Sequence, residues 1–315
     1  MANWTVQCAD RYLAVLYDYL HEKMYGYHVL QADETPVLVN KDGRPAGSKS
    51  YMWVYRTGRM YTDRQIVLYE YQRTRNASHP REFLKNFSGI CVTDGYQVYH
   101  TVENEREDLK IAGCWSHARR RFDEAVKALP KSKQKDSRAY LALTMIQAIY
   151  REEKQLKELP AQERRNRRQL SIRPLVEAYF AWVRENLPKV PQKSKTWEGF
   201  NYSLNQEKYL KVFLEDGEVP MDNNAAEQSI RGFCIGKKNW VMIDTVAGAK
   251  SSAIVYSIAE TAKANSLKPY DYFEYLLTEI PKHLDDTDRS FLNDLLPWSP
   301  NLPANCRKPD KDEVE

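Results

Sequence analysis

The sequence predicts a mixed α/β fold: a sheet flanked by helices, with a mostly helical insertion. Three observations lead there. Residues 27–73 hold three β-prone apolar runs with short connections, the pattern of an antiparallel meander. Residues 79–115 then alternate helix, strand, helix and strand. From residue 117 to 219 the chain changes to apolar residues at helical spacing, broken by charged links.

Each element follows from local pattern. Residues 10–23 place Leu13, Leu16, Tyr17 and Leu20 on one helical face, with Asp10 as the cap and Gly26 as the stop. In residues 27–40, apolar runs flank Asp33 and Glu34, two carboxylates in the middle of a strand pattern. Residues 41–50, rich in Gly, Lys and Ser, read as a mobile loop, and 51–56 and 65–73 as strands. A short helix over 79–87 opens near Pro80. The strand over 89–93 runs into Asp94-Gly95, a helix over 98–110 follows, and 111–115 reads as another strand.

Within the insertion, helices are expected from 117, over 139–158, 175–187 and 205–214, with a basic segment at 162–168 and a Pro, Lys and Ser rich link at 189–195. Residues 220–227 begin a further helix, capped by Asp222 or Asn223, with Glu227 and Arg231 on one face. Helices over 248–265, the latter packed on the sheet, and 270–280 complete the pattern; residues 297–315 read as loose.

Composition sets limits. The 315 residues carry 47 basic and 43 acidic side chains, a net +4 too small to argue for nucleic acid by itself. Five scattered cysteines without a CxxC pair fit a reducing compartment. Cys114 and His117 have ligand-like spacing but no second pair nearby, so a buried thiol and an ordinary histidine are favoured over zinc. No stretch approaches the roughly 20 apolar residues of a membrane span, and the start lacks a signal-peptide pattern. The expectation is a cytoplasmic protein.

Chemistry is concentrated in Asp33, Asp94 and Glu227, two at strand ends or interiors and one in the first turns of a helix. Carboxylates brought together repel unless cations neutralise them, and oxygen donors suit Mg²⁺ or Mn²⁺. The same residues admit a plainer reading, with Asp94-Gly95 a turn and Glu227 paired to Arg231. Arg119, Arg120 and Arg121, the run Arg164, Arg165, Arg167 and Arg168, and Lys237 with Lys238 would form a phosphate track if gathered beside such a site. Trp53, Trp115 and Trp240 are stacking candidates, with core packing favoured for each.

Four stretches together resemble the catalytic region of IS66-family transposases: Ala32-Asp33-Glu34-Thr35-Pro36, Thr93-Asp94-Gly95-Tyr96, Cys114-Trp115-Ser116-His117-Ala118-Arg119-Arg120, and Asp222-Asn223-Asn224-Ala225-Ala226-Glu227. The last continues through Ile230-Arg231 and Ile235-Gly236-Lys237-Lys238-Asn239-Trp240. The resemblance implies an RNase H-like core with Asp33, Asp94 and Glu227 as a DDE triad. Glu34 and Asp222 are weaker alternatives. It also implies two Mg²⁺ ions, with Mn²⁺ able to substitute, and 3′-end cleavage followed by strand transfer.

His117, Arg119, Arg120, Arg164, Arg165, Arg231, Lys237 and Lys238 become DNA-binding candidates. The implied partners are transposon ends and target DNA, a homo-oligomer on DNA, and accessory transposition proteins, in a bacterial cytoplasm near the nucleoid. The expected organisation is a helical lead-in over 1–26, a catalytic domain over 27–266 with its insertion at about 117–219, and a small C-terminal element over 267–315. The amino-terminal modules usual in such relatives are not recognised in this sequence. A non-catalytic DNA- or partner-binding remnant and a metal-dependent nuclease are therefore the alternatives.

Overall fold

The computed structural model describes residues 2–45 and 47–309; residues 310–315 of the expected loose tail lie outside them. Among the described residues the strands are β1 (Val29–Lys41), β2 (Lys49–Thr57), β3 (Val67–Gln72), β4 (Gly89–Val92), β5 (Leu109–Ala112) and β6 (Ile243–Thr245). The chain divides into two units, Met1–Gly89 with Ala225–Glu315, and Ile90–Asn224.

In the first unit, β1, β2 and β3 form the expected antiparallel meander, with Asp33 opposite Val54 and Val54 opposite Tyr69. The short β6 runs parallel to the end of β1, Val39 facing Ile243, which makes the sheet mixed. The two-residue period of the strands sorts their side chains. Val37, Val39, Met52, Val54, Val67, Tyr69 and Tyr71 share one face and are buried against Ala226, Ile230 and Phe233 of helix Asn224–Trp240 and Ala249 and Ala253 of helix Val246–Ala264. Trp53 and Tyr55 are buried on the other face, where the Tyr55 ring stacks on Phe83 at 3.7 Å.

A sheet edge offers unpaired amides to any passing strand. Here the covering helix occupies the edge of β3: Thr261 Oγ1 accepts from the Val67 amide (2.9 Å) and donates to its carbonyl (3.0 Å), and Ser257 Oγ accepts from the Tyr69 amide (2.7 Å). The amino-terminal helix runs from Ala2 through a π turn, Ala9–Leu13, to Met24. Leu13, Leu16 and Leu20 are buried as their spacing predicted. Asp10 lies inside this helix and caps nothing, because the helix starts at Ala2, about two turns before it.

Glu70 of β3 is directly opposite Trp53, and its Oε2 is buried without a hydrogen-bond partner. Burial pushes its pKa up from 4.5 to about 7, with Gln72 opposing and Glu82 assisting the rise. The folded chain therefore holds this proton between about pH 4.5 and 7, where the unfolded carboxyl has lost it. Its contribution to stability is greatest below that window and falls as pH rises through it. Glu70→Gln is expected to flatten this dependence and to stabilise the protein by about 2 kcal/mol at alkaline pH. Urea unfolding on both sides of the window checks it; parallel curves for variant and wild type would contradict it.

In the second unit, β4 and β5 are hydrogen-bonded neighbours, and the Thr93 amide donates to the Ala112 carbonyl (2.9 Å). The helices Trp115–Lys127, Arg138–Gln155, Arg173–Asn186 and Lys195–Asn205 enclose Trp115, Phe122, Tyr179, Phe180 and Phe200. Four expectations are corrected. The helix before β5 ends at Asn104, because Leu109 and Ile111 alternate into the core as strand residues, and Trp115 opens a helix instead of closing a strand. The link at 189–195 ends in a cap: Ser194 Oγ accepts from the Trp197 amide (3.2 Å) and starts an unexpected helix. Residues 205–214 form only the turn Glu207–Leu210 and the 3₁₀ turn Val212–Leu214, since consecutive buried Val212, Phe213 and Leu214 cannot share one helical stripe.

The carboxyl-terminal helix Pro269–Glu279 lies where periodicity put it. The segment after residue 297 is not loose through Lys308. Lys268 N donates to Cys306 O (2.7 Å), Lys308 N donates to Ser266 O (2.9 Å), and Cys306 is fully buried.

Candidate active site

Asp33 and Glu34 are neighbours on β1, so their side chains leave opposite faces of the sheet. Asp33 shares its face with Thr35, whose hydroxyl lies 3.4 Å from Cys234 Sγ on the Glu227 helix. Glu34 is 9% exposed on the other face and is ion-paired with Arg75, whose Nε donates to Oε1 at 2.8 Å. Asp33 turns back along the strand, its Oδ1 accepting from the Glu34 amide (2.9 Å), and one oxygen of each carboxylate lies within 4.8 Å of the other.

Asp94 follows β4 in the second unit. Its Oδ1 accepts from the Tyr96 amide (2.9 Å) and its carbonyl from the Tyr202 hydroxyl (3.0 Å). Burial holds the Tyr202 phenol well above its ordinary pKa, so it remains a donor. Gly95 has φ +90°, and a Cβ there would stand 2.9 Å from Gln206 Oε1. The Asp-Gly pair is thus a turn, and the turn is what sets the acid at the strand's end.

Glu227 occupies the first turn of helix Asn224–Trp240, half-buried beside the stripe Ala226, Ile230 and Phe233 that packs on the sheet. A carboxylate is favoured at that end of the helix dipole. Asp222 serves as lead-in, its Oδ1 accepting from the Asn224 amide (3.1 Å). Asn223 is buried, its amide donating to Cys114 Sγ (3.1 Å). Arg56 on β2 was not singled out from sequence. Its guanidinium donates to the Ala225 carbonyl (3.3 Å), Ser229 Oγ (3.4 Å) and Gln65 Oε1 (2.8 Å), tying the first turn of the Glu227 helix to the sheet. An arginine inside a strand pattern was the available signal.

The cationic candidates separate by exposure. Arg119, Arg120, Arg165, Arg231 and Lys238 are exposed; His117 and Lys237 are half-buried, and Lys237 Nζ donates to the Pro36 carbonyl (2.7 Å). Arg121 lies over the Tyr202 ring, 4.3 Å from its centroid. Arg164 is a correction. It is 5% exposed and donates to the carbonyls of Leu156, Lys157, Leu159 and Gly217, so its donors are directed inward and away from phosphate. Trp53 and Trp115 are fully buried, Trp115 with its Nε1 on the Leu210 carbonyl (2.8 Å), and Trp240 packs on Phe233; Trp53 and Trp115 present no face for a base.

Metal-type donors are therefore present in each unit. The first holds Asp33, Glu34 and Glu227, and the second holds Asp94 together with Cys114 and His117, whose sulfur and ring nitrogen lie within 4.8 Å. The Asp and Glu oxygens suit a hard divalent cation better than a soft one. Among the described residues no helix is long and apolar enough to cross a membrane.

Comparison with known proteins agrees with this reading. The mixed sheet flanked by many helices is the RNase H-like fold of DDE-type transposases. Residues 1–251 match the model described as "Transposase IS66 family", and residues 257–298 match "IS66 C-terminal element". The chain belongs to the IS66 transposase family. Similar curated proteins come from Sinorhizobium fredii (strain NBRC 101917 / NGR234). The uncharacterized protein y4qI is 30% identical over 95% of this chain and 56% of its own length. The uncharacterized protein y4jD is 27% identical over 74% and 45%, and y4hP is 24% identical over 91% and 53%. The chain thus spans about half the length of the curated relatives it matches.

Proposed function

We propose that this chain is the catalytic region of a transposase that cleaves the 3′ ends of an insertion sequence and joins them to target DNA. The observation that carries the proposal is the placement of Asp33 on the helix-covered face of its sheet, with Glu227 in the first turn of the covering helix. Asp94, set at the end of β4 by its Gly95 turn, is the third acid. In this reading Asp33, Asp94 and Glu227 hold two Mg²⁺ ions, which when bound supply Lewis acidity and neutralise developing charge on phosphate oxygens. Mn²⁺ substitutes for Mg²⁺.

The chain's own groups do the rest. Arg119, Arg120 and Lys238 position the strand, Arg as a fork on phosphate and Lys as a point charge. His117, Arg165 and Arg231 are further strand contacts. A water oxygen attacks phosphorus in line, and the transposon 3′ oxygen leaves as a hydroxyl. That hydroxyl then attacks a target phosphodiester, displacing the target's own 3′ oxygen. No protein–DNA covalent bond forms. The protein acts as a homo-oligomer on DNA with accessory transposition proteins, in the cytoplasm and at the nucleoid.

The test is cleavage and joining of a labelled, pre-nicked transposon-end duplex in Mg²⁺, in Mn²⁺ and in EDTA. Joining in either metal and none in EDTA is expected. Cutting without joining would favour the nuclease alternative, and bound but unreacted DNA the remnant.

A further inference from the structure

Helix Asn224–Trp240 has a second face. Gln228, Arg231, Gly232, Ile235, Lys238 and Asn239 are all exposed and recur at helical spacing, opposite the stripe that packs on the sheet. These six residues include two cations, with Glu227 at the margin of the face one turn before Arg231, and Ile235 is 59% exposed at their centre. Gly232 stands out within it. Glycine is the poorest helix former after proline, and it usually persists in a helix where something approaches closely. A Cβ at Gly232 would meet nothing within 4 Å among the described residues beyond its chain neighbours and the backbone of its own helix. Nothing in the fold asks for a glycine there.

The end of the face is strained. Val241, a β-branched residue, is held at φ +60° with its amide on the Lys237 carbonyl (2.7 Å), and Val241 and Met242 are 59% and 45% exposed. Trp240 packs on Phe233 behind them, and β6 follows at once on the edge of β1. The nearest acid in sequence, Asp244, is neutralised by Lys41 at 2.8 Å.

We propose that this face seats the sugar–phosphate backbone of duplex DNA, with Gly232 as the point of closest approach and Arg231 and Lys238 as phosphate contacts on either side. This rests on the transposase reading and adds to it a surface and a residue, Gly232, that the triad does not require. From Arg231 to Lys238 the helix advances about 10 Å, so the two cations engage separate phosphates of one strand. Cations give the face its affinity. The glycine lets the backbone lie against the helix instead of against a side chain.

The test uses the full chain with Gly232→Ala, Gly232→Gln and Lys238→Ala, measuring melting temperature, sedimentation and duplex affinity across a range of salt. Gly232→Ala should raise the melting temperature by about 2–4 °C yet bind DNA several-fold more weakly, and Gly232→Gln should bind more weakly still. Lys238→Ala should reduce the salt slope by about one ion. Undiminished binding by both glycine variants would overturn the proposal. So would unchanged DNA binding with an altered oligomeric state, which would assign the face to a protein partner. Failure of the wild type to bind any duplex would instead overturn the transposase reading, and this proposal with it.

Discussion

Asp33→Asn and Glu227→Gln are each expected to abolish strand cleavage and joining while leaving the fold and DNA binding intact. Each substitution keeps the shape of the side chain and removes a charged oxygen donor. Losing one ligand of a catalytic cation forfeits several kcal/mol of transition-state stabilisation, on the order of a thousandfold in rate. Asp33 is half-exposed at the sheet, and the helix of Glu227 is anchored by Ala226, Ile230 and Phe233 and by Arg56 on the Ala225 carbonyl. Duplex affinity by anisotropy and unfolding by urea should therefore match wild type. Glu34→Gln separates the neighbours: it disturbs the Arg75 ion pair and should cost stability more than rate. Cleavage surviving in Asp33→Asn would remove that residue from the triad.

The second large effect is on stability. Arg168→Met is expected to destabilise the protein by about 3–5 kcal/mol. Arg168 is 1% exposed in a π turn. One of its amino groups donates to the carbonyls of Phe213 (2.6 Å), Asp216 (2.7 Å) and Val219 (3.0 Å), and its Nε donates to Glu153 (2.9 Å). Methionine fills much of the volume but leaves three carbonyls and a carboxylate without this donor. The segment 213–219 leads directly toward Asp222 and the Glu227 helix, so its loosening would also lower activity. Urea unfolding monitored by tryptophan fluorescence reads the loss. A loss below about 1 kcal/mol, the range of a surface pair, would show that water replaces the guanidinium.

These two residues illustrate what the sequence disclosed. The pair Asp33 and Glu34 was legible because acids interrupting an apolar strand are rare, while the choice between them came from the family resemblance alone. The meander, the Glu227 helix and the helix Val246–Ala264 were legible because periodicity is local. Arg164 and Arg168 were not. A run of arginines ordinarily marks a solvated face, and the carbonyls that draw these two inside lie mainly at positions 156–159 and 213–219, one set brought near by the chain's return. The helix Lys195–Asn205 was hidden by the Pro, Lys and Ser that precede it, although Ser194 was its cap. Glu70 and Arg56, both half-buried, show that a charged residue in a strand pattern can turn its polar atoms into the packing, and only the packed neighbours reveal which.

In the transposase reading the three acids act as metal ligands. Asp94→Cys tests it most directly, because a thiolate is a poor ligand for Mg²⁺ and a better one for the softer Mn²⁺. The measurement is joining of a pre-nicked end by wild type and Asp94→Cys, each in Mg²⁺ and in Mn²⁺. The variant should be inactive in Mg²⁺ and recover activity in Mn²⁺, while wild type works in both. Equal activity of the variant in the two metals, or inactivity in both with DNA binding and fold preserved, would contradict it.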